Sequence, residues 1–177
     1  MDARQSRAAL TLFVTALVVY GVDRITKIWA ESMLPGGPID VVPGVFTLRF
    51  TTNSGGAFSV GQRAPWFFVG VTAVVVVIIL ATSFRHTSRL VGAALGLILG
   101  GALGNLTDRV LRGPGLRGRV VDFLDFHVWP VFNLADSAIV IGAILLAMAG
   151  LRERPGEGPG EGPGEGKEQP EPTAAPT

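Results

Sequence analysis

Asp122 lies in the stretch RVVDFLDFHVWP and Asp136 in VFNLADSAIV, 14 residues apart, with Pro130 marking where the chain turns between them. A connection that short keeps both carboxyl groups near one end of the helices that flank it. Two carboxyls at one site cannot both ionise cheaply, so they share a proton and titrate as a pair. One then acts as base toward a water and the other as acid, which is aspartic peptidase chemistry. Further polar residues crowd the same region. Asn105, Asp108 and Arg109 end an apolar run, and Asn133 precedes Asp136 by three residues. A buried carboxylate needs a cation, hydrogen-bond donors or a proton, and Arg109 is the nearest cation to Asp136. Asn105 pairs with Arg109 at the i+4 spacing. Asp23 and Lys27, also four apart, read as a helix-end salt bridge with Lys27 reaching toward the membrane surface. Asp125 reads as a loop residue.

The elements that must hold these groups are apolar blocks of membrane length. A bilayer core needs about 20 mainly apolar residues as helix, and four segments come close, at about 8–30, 65–84, 90–109 and 131–151. An ionisable side chain inside such a segment costs about 2.5–3.5 kcal/mol at mid-membrane by insertion scales, so it marks function by default. In the third segment Gly92, Gly96, Gly100 and Gly104 recur every four residues, a ridge that lets helices approach closely. The same step reaches Asp108. Between the first two segments Phe46, Leu48 and Phe50 alternate with Thr47, Arg49 and Thr51, the period of a half-buried strand. An outer β segment is therefore expected at about 38–60. The opening arginines and apolar run imitate a secretory leader, but no small-x-small site follows, and the reading is a retained first span.

Composition agrees. Only 16% of the 177 residues are charged and mean hydropathy is +0.45, where a soluble domain carries roughly 25% charge. The net charge of +1 is the sum of +5 over residues 1–154 and −4 over residues 155–177. That second stretch repeats PGEG three times, holds no Val, Ile, Leu or aromatic residue, and is expected to stay disordered. Near-neutral charge gives no reason to expect nucleic acid. With no cysteine, thiol catalysis and disulfide scaffolds are excluded. His86 and His127 are too few for a metal site, no cofactor motif is present, and Ser54 or Ser59 with Lys27 is a weak candidate for a serine–lysine dyad. Arg4, Arg7, Arg85, Arg89, Arg152 and Arg154 favour a cytoplasmic face, which puts both termini inside, while Arg49, Arg63, Arg112, Arg117 and Arg119 on the other face imply outer loops that bind something polar or lie against lipid headgroups. Two other classes fit the intramembrane carboxylates: a small transporter or channel subunit relaying protons through Asp108, Asp122 and Asp136, and an assembly subunit held by the glycine ridge.

Five blocks, DRITK (23–27), NSGGAF (53–58), GGALGNLTDR (100–109), VVDF (120–123) and FNLADSA (132–138), in this order on four apolar segments, resemble the bacterial lipoprotein signal peptidases, or signal peptidase II. The resemblance covers roughly residues 8–151. It implies an all-α membrane protein: four transmembrane helices, a small extracytoplasmic β-sheet or cradle, a short interfacial helix, and both termini in the cytoplasm. It implies an aspartic endopeptidase of the bacterial inner membrane, acting near the extracytoplasmic face. Such an enzyme removes the signal peptide of a prolipoprotein just before a diacylglyceryl-modified cysteine. The catalytic dyad is then Asp122 and Asp136. Asn105, Arg109 and Asn133 position the substrate, Asp23, Lys27 and Asn53 give polar support or substrate contacts, and Asp108 is structural, with a dyad role second. The implied partners are lipid-modified prolipoproteins and membrane lipids, the expected state is a monomer, and neither metal nor cofactor is implied. Gly56 stands where the family commonly has Ala, the Asp122–Asp136 interval is shorter than in many relatives, and the PGEG stretch matches no family pattern.

Overall fold

The computed structural model describes residues 2–54 and 65–152; the rest of the NSGGAF block and the PGEG stretch lie outside the described residues. In lipid a backbone finds no water to bond, so long apolar segments close their hydrogen bonds internally as helices. Four result: α1 (Ala3–Met33), α2 (Pro65–Thr82), α3 (Arg89–Leu111) and α4 (Leu134–Arg152). Among the described residues α1, α3 and α4 are long and apolar enough to cross a membrane, and α2 is a shorter, uncharged helix of 18 residues. The first helix begins earlier than the apolar run because Asp2 and Gln5 form a capping box ahead of it.

Helix α3 is the axis of the bundle, packed against α1 on one side and α4 on the other. The glycine ridge faces α1. A Cβ at Gly96 would stand 2.5 Å from the Leu12 carbonyl oxygen, and one at Gly100 would stand 2.6 Å from that of Ala16. Gly92 meets Ala8 and Gly104 meets the Asp23 carboxylate in the same way, so α1 and α3 run parallel. Gly101 opposes Ala135, and Gly142 of α4 opposes Ala94, so α4 runs antiparallel to both. Helix α2 packs on α3 and runs antiparallel to α1 and α3: Phe68 near its start lies beside Arg109 at the end of α3, and Phe84 just past its end touches Phe13 near the start of α1. Leu12, Leu95, Leu99 and Ile79 centre the apolar core.

Three strands form an antiparallel sheet in the order β1 (Ile39–Val42), β2 (Phe46–Asn53), β3 (Val120–Asp125). The β1–β2 turn is Val42-Pro43-Gly44-Val45, closed by the Val45 N–H on the Val42 carbonyl; Gly44, at φ +73°, takes the left-handed place that such a turn requires. The alternating strand therefore exists and extends to Asn53, but it gains a partner that alternation did not reveal. Val121 and Phe123 press onto Ala30 and Leu34 of the α1 end, and the period of two turns Asp122 to the opposite face. Asp125 is not a loop residue. It ends β3, is buried, and is held by Arg49 at 2.9 Å and by the His127 N–H. Short helical pieces among the described residues are two 3-10 turns, Leu34–Gly36 and Pro114–Leu116; no interfacial α-helix is among them.

The close helix approach predicts an asymmetry between glycines. Gly100→Ala should lower the thermal midpoint in detergent, by about 1–3 kcal/mol of stability. Gly70→Ala, with nothing within 4 Å of its new methyl, should leave it unchanged or raise it slightly.

Candidate active site

The site is built outward from one buried cation. Lys27 is fully buried on α1 and its ammonium has three N–H donors. Its Nζ lies 2.9 Å from Asp23 Oδ2, 2.9 Å from Asp108 Oδ2 and 2.8 Å from Asn105 Oδ1. Each acceptor reaches a different element. Asp23 Oδ1 accepts from the Ala135 N–H at the start of α4, 3.2 Å away. Asp108 accepts from the Val121 N–H of β3, and from Arg24 and Arg112. Asn105 donates its Nδ2 to Asp136 Oδ1 at 2.8 Å. The i+4 pair Asp23–Lys27 thus forms as expected, but Lys27 is sealed inside rather than reaching to the surface.

Asn133 joins the two candidate carboxylates. It precedes α4 and forms a reciprocal cap with Asp136. The Asp136 N–H donates to Asn133 Oδ1 at 3.0 Å, and the Asn133 N–H donates to Asp136 Oδ2 at 3.3 Å. The motif Asn-Leu-Ala-Asp is therefore a helix start that fixes Asp136 in the first turn. The Asn133 amide also donates to Asp122 Oδ1 at 2.6 Å and to the Val121 carbonyl at 3.2 Å. Asn53, opposite Val120 across the β2–β3 ladder, hydrogen-bonds the Asp122 side chain. Asp122 and Asp136 line one cavity of about 280 Å³ with Asn53, Asn105 and Arg109, walled by Phe68, Trp129 and Phe132. Burial, and then the Asp136 charge, push the Asp122 carboxyl up to about 7, against the opposing hydrogen bonds of Asn133 and Asn53 and the Lys27 charge.

Arg109 is not the partner of Asp136. Among the described residues no ion pair joins it to a carboxylate. Its guanidinium sits over the Phe68 ring, 5.6 Å from the centroid, and Nη1 is buried without a hydrogen-bond partner among them. Asn105 likewise bonds Lys27, Asp136 and Asn133 rather than Arg109. The reason is geometric: the Asn105 side chain and the Asn133 backbone N–H already occupy the Asp136 oxygens. Asp108 stands outside that cavity, ringed by Arg24, Lys27 and Arg112. Arg24 and Arg112 escaped the reading of the sequence, although Arg112 lies one helical turn past Asp108, at the spacing of an ion pair.

The chain matches the family model described as Signal peptidase (SPase) II over residues 15–152. It is 44% identical over 144 residues to a lipoprotein signal peptidase of Rhodococcus jostii, covering 80% of this chain and 73% of that one. It is 42% identical over 166 residues to one of Mycolicibacterium smegmatis, covering 88% and 71%. A solved bacterial membrane enzyme, determined by the in meso method at 2.3 Å resolution, superposes with a TM-score of 0.72 at 30% identity, over 88% of this chain and 94% of that one.

The buried cation carries a stability prediction. Lys27→Met should cost about 3–5 kcal/mol, since it strands carboxylates in the interior. Thermal unfolding in detergent should show part of that loss recovered by Lys27→Met with Asp23→Asn, which removes one stranded charge.

Proposed function

Because the chain belongs to the signal peptidase II family, we propose that it cleaves the signal peptide of lipid-modified prolipoproteins through an Asp122–Asp136 dyad. The observation that carries this reading is that both carboxyls line one cavity and are bridged by one residue, Asn133, whose side-chain amide donates to Asp122 and whose backbone N–H donates to Asp136. Asp122 holds the shared proton near neutral pH and Asp136 is the base. Asp136 takes a proton from a water whose oxygen attacks the scissile carbonyl carbon, while Asp122 gives its proton to the carbonyl oxygen. The tetrahedral diol then collapses. Its C–N bond breaks, the nitrogen leaves with a proton from the dyad, and a new carboxyl and a new amine result. Asp122 takes the proton of the diol hydroxyl that becomes the new C=O, and so ends with a proton again. The unsatisfied Nη1 of Arg109 supplies a preorganised donor to the oxygen on which charge develops.

The cut falls just before a diacylglyceryl-modified cysteine, as the family resemblance implies. Helix α2 is the fourth span. Parallel spanning helices α1 and α3 require the chain to cross back between them, and the Phe68 and Phe84 contacts support a crossing of equal depth. Arg4, Arg7, Arg85, Arg89 and Arg152 then share the cytoplasmic side with both termini, and the sheet and dyad lie toward the outer face. There water reaches the carboxylates while acyl chains stay in lipid.

Asp122→Asn and Asp136→Asn should each lower cleavage of a purified lipidated prolipoprotein by about 10²–10⁴-fold, with thermal midpoints kept. Near-normal processing by either would exclude the dyad, and pH-driven proton flux in liposomes without cleavage would favour a relay. The kcat/KM profile should fall as pH rises through about 7, where Asp122 loses its proton. Asn53→Ala removes a hydrogen bond that lowers the Asp122 pKa, so that limb should move to higher pH even as the rate drops.

A further inference from the structure

Between β3 and α4 the chain forms a strap, residues 126–132, at the mouth of the dyad cavity. Its centre is strained. His127 takes φ +61°, and the Val128 N–H donates to the Phe126 carbonyl at 2.7 Å, a three-residue turn of the rare hand. Such a turn persists only where its surroundings over-determine it. Thr47 and Asp125, paired across β2 and β3, grip it from below. His127 Nε2 lies 3.0 Å from Thr47 Oγ1, and the His127 N–H donates to Asp125 Oδ1 at 2.9 Å. Thr47 has one hydroxyl hydrogen and gives it to Asp40 Oδ1 at 2.7 Å. It can therefore only accept from His127, which fixes the ring as the Nε2–H donor. Arg49 holds Asp125 in turn. On either side, Phe126 stacks between Phe46 and Phe132, with centroids 4.6 and 5.9 Å away. The Phe132 backbone is tied to Leu124 by the Phe132 N–H at 3.1 Å and by the Leu124 N–H at 2.8 Å.

The strap separates two spaces. Trp129 and Phe132 wall the dyad cavity, and the same two residues line an apolar groove of about 560 Å³ that runs along Val140 and Ile141 of α4 and touches Asp136. We propose that His127, clamped by Thr47 and Asp125, is a positioning residue. It holds the strap in its tight turn so that Trp129 and Phe132 keep the substrate chain in line with the carboxylates. His127 touches no reacting atom. Its effect is on how well substrate is seated. The inference rests on the peptidase reading for its substrate, but the clamp is open to test without cleavage.

The test compares Thr47→Val, Thr47→Ser, His127→Ala and Asp40→Ala with the wild-type full chain in detergent. Amide exchange of residues 126–132 reads the strap directly. Cleavage of a lipidated prolipoprotein separates KM from kcat, and thermal unfolding reads the fold. Thr47→Val and His127→Ala should speed exchange at the Val128 and Phe132 amides and raise KM on the order of 10-fold. Their kcat and thermal midpoint should stay at wild-type values. Thr47→Ser, which keeps the hydroxyl, and Asp40→Ala, which spares the Thr47–His127 bond, should behave as wild type. Unchanged exchange and KM in Thr47→Val and His127→Ala would overturn the proposal, as would a full effect from Asp40→Ala. Faster exchange in Thr47→Val beside a wild-type chain that leaves the prolipoprotein uncut would sink the peptidase reading and leave the clamp standing.

Discussion

An ammonium group buried in a membrane bundle is tolerable only if all three of its donors are met, and this requirement organises the molecule. Lys27 meets Asp23, Asp108 and Asn105 at 2.8–2.9 Å. None of the three acceptors ends there. Through them the ion binds the start of α4, the strand β3 and the Asp136 side chain. Removing a charge from water costs several kcal/mol even after relaxation, and only a saturated arrangement offsets that. The cation thus constrains position as much as it balances charge: α1, α3, α4 and β3 have one mutual placement in which every donor is used.

The glycine ridge makes that placement reachable. Gly104 leaves room for the Asp23 carboxylate, where a methyl group would collide with it, and Gly96 and Gly100 bring the α1 carbonyls against α3 so that Lys27 can reach Asn105. From Asn105 the order passes through neutral amides. Asn105 and Asn133 supply donors to the two carboxyls without adding a positive charge beside them. A cation bonded directly to the pair would favour ionisation of both, and the shared proton would be lost. Amides hold the geometry and leave burial and mutual repulsion to keep one proton on the pair. Arg109 fits the same logic, since it stands in the cavity wall with a donor unspent.

Much of this was legible in the residues, and the failures have physical causes. Helix positions followed from apolar runs, because lipid leaves few alternatives to a helix. The pairing of Asp23 with Lys27 is local and follows from helical spacing. β2 showed itself because one of its faces is wet, as Arg49 indicates. β3 did not, because Val120, Val121, Asp122 and Phe123 are all buried, so no alternation marks it. Asp125 passed for a loop residue because its counterion, Arg49, comes from another strand. Arg109 is the nearest cation to Asp136 in the sequence but does not pair with it, because the Asn105 side chain and the Asn133 backbone N–H already fill the carboxylate. The Asn133–Asp136 cap was present in the sequence as a helix-start signature and went unread beside its chemical meaning.

That Asp122 and Asp136 form one unit holding one proton can be measured on the resting protein. Infrared titration of the purified chain should show a protonated carboxylic acid band that disappears with a midpoint near pH 7. The transition near pH 7 should be absent in Asp122→Asn, and its midpoint should move to lower pH in Asp136→Asn, where the neighbouring charge is gone. Loss of every carboxylic acid band by about pH 5, a full unit above the ordinary carboxylate range, or an Asp122 midpoint indifferent to Asp136, would contradict a shared-proton dyad.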